Sequence, residues 1–238
     1  MRALRILAGL LLMPVCVAAT KTLLALLVSI HPRNAGGWPF PAWALVGGFL
    51  AWLLVYFTLP RPVRGYVLSH ELTHALCAYV MGARVYRIRI GTDKGSVTLS
   101  KSNALIALAP YFFPFYTVLV IVAYYLLGIF HDLQAYLSLW LALVGFTWGF
   151  HFTFTLASLM QHQSDIREHG YLFSYALIYA LNMLGICGWI VAVSPATLEQ
   201  LARELQTQLH TVLASWGTAG RYIWAWFHNK SAGGSLLR

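Results

Sequence analysis

Apolar residues in this chain come in long runs broken by short polar connections, and few stretches show the stepwise alternation of a surface helix or strand. A run of about 20 apolar residues is what a helix needs to cross a bilayer. Arg2 to Ile30 begins with two arginines and a small-residue patch at Val17-Ala18-Ala19, as a signal peptide would. Apolar sequence resumes after Lys21, however, so the stretch predicts an uncleaved spanning helix with some tilt. His31 to Pro41 is a loop by its Pro and Gly content, and Trp38 and Trp43 suit a membrane–water interface. Further spans are predicted at Trp43–Leu59, at Val63 to about Gly82, at Asn103–Phe130, at Ala135–Met160 and at Tyr171–Val193, six in all. Pro110 and Pro114 predict a kink in the fourth, with freed carbonyls that must face protein or water.

Two stretches follow a different rhythm. In Arg84–Ser100, Tyr86, Ile88 and Ile90 alternate with Arg87 and Arg89. Val97 and Leu99 then alternate with Ser96, Thr98 and Ser100, and Gly91-Thr92-Asp93-Lys94-Gly95 between them has turn chemistry. This predicts a short amphipathic β-hairpin, which could equally be a plain connection. After Ser194-Pro195, Leu198, Leu201, Leu205, Leu209, Val212 and Trp216 recur at three- and four-residue steps. They predict an amphipathic helix lying on the membrane, continued by the aromatic patch Tyr222–Phe227 and a loose tail from Asn229. The expected fold is an all-α polytopic membrane protein of about six spans with one β-hairpin. A transmembrane domain would cover residues 1–193, and an amphipathic helix and tail residues 194–238.

Composition agrees. The 238 residues are 59% hydrophobic and 10% charged, against about 25% charged in soluble domains. The net charge of +9 does not point to nucleic acid, because the basic residues sit in connections between apolar runs, where lipid headgroups are the nearer partner. Basic residues are shared almost equally between the two predicted sides, so charge does not set the orientation. Cys16, Cys77 and Cys187 lie within apolar segments, and an odd count is no disulfide framework.

Chemistry concentrates in Ser69-His70-Glu71-Leu72-Thr73-His74. Residues four apart stack on one helix face, so His70 and His74 can both direct an imidazole at one ion. Glu71, beside the first ligand, is placed to take a proton from water rather than bind the ion. The alternative is a buried hydrogen-bonded polar cluster. Cys77 shares the face but lies a turn away and reads as packing. A catalytic zinc needs a third protein ligand and one open position. Candidates are Asp132, Asp165, His31, His131, His151, His162, His169, His210 and His228. Counting crossings returns Asp165 to the side where the motif helix ends and sends Asp132 to the other. His151 is the alternative, and Asp165 could instead cap a helix or pair with Arg167.

The His-Glu-x-x-His within an apolar helix, the hairpin after it and an aspartate at a later helix end together resemble the site-2 protease class of intramembrane zinc metalloproteases (M50-type peptidases). The resemblance runs from about Pro60 to Leu184 and is to the compact members, without a PDZ or CBS domain. It implies Zn2+ held by His70, His74 and Asp165, with Glu71 as the catalytic base. It also implies a substrate strand paired with the hairpin edge at Tyr86, Ile88 and Ile90, and a hairpin on the cytoplasmic side. Around its aspartate the family often carries Asn-x-x-Pro-x-x-x-Leu-Asp-Gly, where this chain has Gln163-Ser164-Asp165-Ile166. The expected activity is hydrolysis of a membrane-protein substrate, by a multi-pass protein of the bacterial inner membrane whose other partner is the lipid bilayer. An inactive metal-binding scaffold and a metal transporter are the other readings.

Overall fold

The computed structural model describes residues 2–30, 40–161 and 163–233. The expected loop at His31–Pro41 lies almost wholly outside these, as do His31 and His162 and the side chain of His228. In order, the elements are α1 (Arg2–Ile30), α2 (Phe40–Thr58), α3 (Val63–Val80), β1 (Val85–Ile90), β2 (Gly95–Leu99), α4 (Ala104–Leu108), α5 (Phe115–Gly128), α6 (Leu137–Leu159), α7 (Ser164–His169), α8 (Tyr171–Val193) and α9 (Leu198–Gly233). They form two compact units, one of Met1–His31 with Tyr179–Arg238, the other of Pro32–Ile178.

In the second unit α2 lies against α6, and glycine sets how closely. A Cβ on Gly48 would overlap the carbonyl of Ala142, and one on Gly145 would overlap that of Leu45. One on Gly149 would come within 2.8 Å of the Trp52 ring. Small residues let apolar helices approach backbone to backbone where no hydrophobic effect drives them together. Trp52 sits in that seam, 2% exposed, against Phe146, Phe150 and Phe154. Its indole N–H donates to Thr153 Oγ1 at 2.9 Å, which satisfies the buried donor.

The hairpin forms as the alternation predicts. β1 and β2 pair antiparallel, Ile88 opposite Val97 and Ile90 opposite Gly95, and the Gly91 N–H bonds to the Lys94 carbonyl at 2.9 Å across the turn.

The segment expected as one kinked span is broken outright. α4 is a short helix capped by Asn103, whose side chain accepts from the Ile106 N–H at 3.0 Å. A 3-10 turn, Ala109–Tyr111, follows, and α5 departs at 81°. Pro110 and Pro114 supply the cause, since neither can donate a helical hydrogen bond.

The six-span expectation is not confirmed. By length and apolarity, three helices (α1, α6 and α8) can cross a membrane, or up to four if the bent pair is one span, among the described residues. The apolar stretch Trp43–Thr58 of α2 is shorter, and α3 carries Arg64, His70, Glu71 and His74 within 18 residues.

In the first unit, Leu26 of α1, Cys187 of α8 and Ala196 form a buried cluster with Leu23, Val191 and Leu201. Here α9 extends beyond the expected helix. It runs as one helix of 36 residues through the aromatic patch and into the expected tail. It also packs against α1, with Val212 buried and Leu205 and Leu209 half-buried. α1 and α9 belong to the same compact unit.

Candidate metal centre

Helix α3 puts the two motif imidazoles on one face, ring centroids 4.9 Å apart and nearly perpendicular. Each ring is held from behind through its Nδ1. His74 Nδ1–H donates to the Ile106 carbonyl at 2.9 Å, and a carbonyl can only accept, so the bare nitrogen of His74 is Nε2. His70 Nδ1 shares a hydrogen bond of 3.2 Å with the hydroxyl of Tyr66, one turn earlier on α3. Tyr66 is itself fixed by stacking on Phe154 of α6 at 4.9 Å.

The third group arrives from α7. Asp165 Oδ2 lies 4.0 Å from His70 Nε2 and 3.9 Å from His74 Nε2, with the three side chains 12%, 14% and 26% exposed. All three candidate ligand atoms lie within 4.8 Å of one another. The N-cap of α7 is Gln163, so Asp165 is not its cap. The Tyr111 hydroxyl donates to the same Oδ2 at 3.2 Å, and the Tyr111 ring meets His70 edge-on at 5.5 Å. Gly170, with φ of 90°, turns the chain from α7 straight into α8, a backbone shape that glycine adopts without strain.

Donor atoms around a tetrahedral zinc at about 2.0–2.1 Å lie about 3.3 Å from one another. The two imidazole–carboxylate separations, 4.0 and 3.9 Å, are wider by less than 1 Å. Two imidazole nitrogens and a carboxylate oxygen, each with an outer hydrogen-bond partner, are donors of the kind that metal ions take. The arrangement is a group that could hold a metal ion.

Glu71 does not join the three. It is 7% exposed and forms part of the wall of a cavity of about 900 Å³ that His70, His74 and Asp165 also line. Gly95, the first residue of β2, lies directly over it. A Cβ at Gly95 would sit 2.5 Å from Glu71 Cγ and 2.7 Å from Oε1. Ser96 and Val97 of β2 line the cavity too, whereas Tyr86, Ile88 and Ile90 of β1 are not among its lining residues and are exposed.

The other candidates among the described residues lie elsewhere. Asp132 accepts from the Gln134 N–H at 3.0 Å. His151 lines a separate, water-sized cavity behind His70, with Ser69, Thr73 and Tyr116. His169 bonds the backbone carbonyl of Asp165 at 3.0 Å, and Cys77 packs beside the buried cluster of Ala78, Ala83 and Ile106. Sequence reasoning missed Tyr66, Tyr111 and the Ile106 carbonyl. Tyr66 had a signal, one turn before His70 on the same face, whereas Tyr111 had none.

Comparison of the chain with protein-family models, with curated proteins and with solved structures gave no match.

Proposed function

We propose that the chain is an intramembrane zinc metalloprotease, hydrolysing a peptide bond in or near a transmembrane segment of a membrane-protein substrate. The observation that carries this reading is the convergence of His70, His74 and Asp165 in a cavity whose wall also holds Glu71. Three protein ligands leave a fourth zinc position open, which is what distinguishes a hydrolytic site from a structural one. A bound zinc ion would supply Lewis acidity and an activated water at neutral pH.

The chain's own groups do the rest. His70 Nε2, His74 Nε2 and Asp165 Oδ2 hold the ion, and Glu71 accepts a proton from water and delivers it to the leaving amine. A helical substrate must first unwind, because its carbonyls are bonded within itself. An extended strand can then pair with a sheet edge. Since β2 lines the cavity beside Glu71, its edge suits that role better than Tyr86, Ile88 and Ile90 of β1. A bacterial cytoplasmic membrane, with the hairpin on its inner side, is the setting that fits this reading.

Among the described residues His70, His74 and Asp165 are the one group of metal-binding type, which favours a fixed site over a transport pathway. An inactive scaffold is distinguished by Glu71→Gln, assayed with single-span membrane proteins co-expressed as substrates. A protease retains zinc in this variant and loses cleavage. Cleavage equal to wild type would overturn the mechanism.

A further inference from the structure

The proline break between α4 and α5 touches the metal centre at more points than a loop needs to. Pro110 has no N–H, so the Ile106 carbonyl four residues earlier receives no helical hydrogen bond from that position. That carbonyl is the one to which His74 Nδ1–H donates, at 2.9 Å. The next residue, Tyr111, is fully buried and donates its hydroxyl proton to Asp165 Oδ2, the oxygen nearest both imidazoles. Its ring edge also rests on His70. Three ligands on α3 and α7 are thus held by one turn of chain, Ile106 to Tyr111, that supplies no ligand itself.

We infer that this proline-broken turn is the positioning element of the metal centre, with Pro110 and Tyr111 as positioning residues. Pro110 leaves a backbone acceptor free for His74, and Tyr111 sets the rotation of the Asp165 carboxylate. The inference rests on the metal reading proposed above and goes beyond it, in assigning the geometry to residues outside the ligand set. Outer-sphere partners of metal ligands fix ring orientation and tautomer, and their loss costs about 10–100-fold in metal affinity.

The test measures zinc affinity of the full chain in detergent, by competition with a chelator, together with the absorption spectrum of the cobalt-loaded protein. Tyr111→Phe keeps the ring and removes one oxygen, and it should weaken zinc binding about 10–100-fold and alter the cobalt spectrum. Pro110→Ala restores an N–H that competes with His74 for the Ile106 carbonyl. It should weaken binding about two- to tenfold, the weight of one neutral hydrogen bond. Pro114→Ala relaxes the same break at a position that leads to no ligand, and it should leave zinc affinity unchanged. Thermal unfolding of the metal-free variants separates a folded chain with a loosened site from a chain that has not folded. Wild-type affinity in either Tyr111→Phe or Pro110→Ala, or an equal loss in Pro114→Ala, would overturn the inference and leave the metal reading standing. A wild-type chain that binds no zinc would overturn both.

Discussion

Helix α6 and the segment Ala104–Gly128 look alike in sequence, each a long apolar run with two residues that disfavour helix. In α6 those residues are Gly145 and Gly149, and the helix stays continuous over 23 residues. In the other they are Pro110 and Pro114, and the helix breaks by 81°. Glycine keeps its N–H, so α6 retains its ladder and gains a flat face for α2. Proline loses the donor, and the carbonyl it leaves free is used by His74. The same unit therefore has a packing side, where a small residue brings backbones together, and a chemical side, where a broken ladder supplies hydrogen-bond partners. Changes on the first should move stability without moving chemistry, and changes on the second should do the reverse.

The largest expected effect is on the chemical side. Glu71→Gln should lower turnover about 10²–10⁴-fold with zinc content and melting temperature unchanged, as zinc analysis and thermal unfolding of the same preparation would check. A lower melting temperature in this variant would blur the separation. On the packing side, Gly145→Leu forces a side chain into the Leu45 carbonyl. It should destabilise the protein by about 3 kcal/mol, read as a fall in the unfolding midpoint. Zinc affinity of the fraction that stays folded should equal wild type.

Gly95→Ala probes the contact between the hairpin and Glu71, the proposed base. Its methyl group would meet Glu71 Cγ and Oε1, and a base displaced by about 1 Å costs about 100-fold in turnover. Zinc binding should not change, and steady-state cleavage with a parallel zinc titration distinguishes the two. The smallest effect is expected at Trp52, in the same α2–α6 seam as Gly145. Trp52→Phe removes the donor to Thr153 and should cost about 1 kcal/mol in an unfolding titration, with no change in cleavage.

The parts of this arrangement that were legible in the sequence are the ones set by local periodicity. His70 and His74 are four residues apart, and a helix of any length puts them on one face. The hairpin announced itself by alternation. Alternation is the same on both strands, however, so it could not say that β2 rather than β1 borders the cavity. Asp165 was reached by counting crossings from six spans, whereas three or four helices meet the length and apolarity of a span, and the aspartate nonetheless lies against the histidines. Tyr111 was out of reach because its partners, His70 and Asp165, lie 41 and 54 residues away, across the proline break. The period of α9 could not name what its apolar stripe meets, because such a stripe has the same period whether it faces lipid or another helix. In its unit the partner is α1.

Whether Asp165 completes the metal centre is decided by zinc per chain in the wild type and in Asp165→Asn, measured side by side after equal exposure to a chelator. Asparagine keeps the size and the capping ability of aspartate but removes the charge that draws a cation. The account predicts one zinc per chain in the wild type and a substantial loss in Asp165→Asn, with both proteins folded. Full and equal zinc in the two proteins, or none in the wild type, would contradict it.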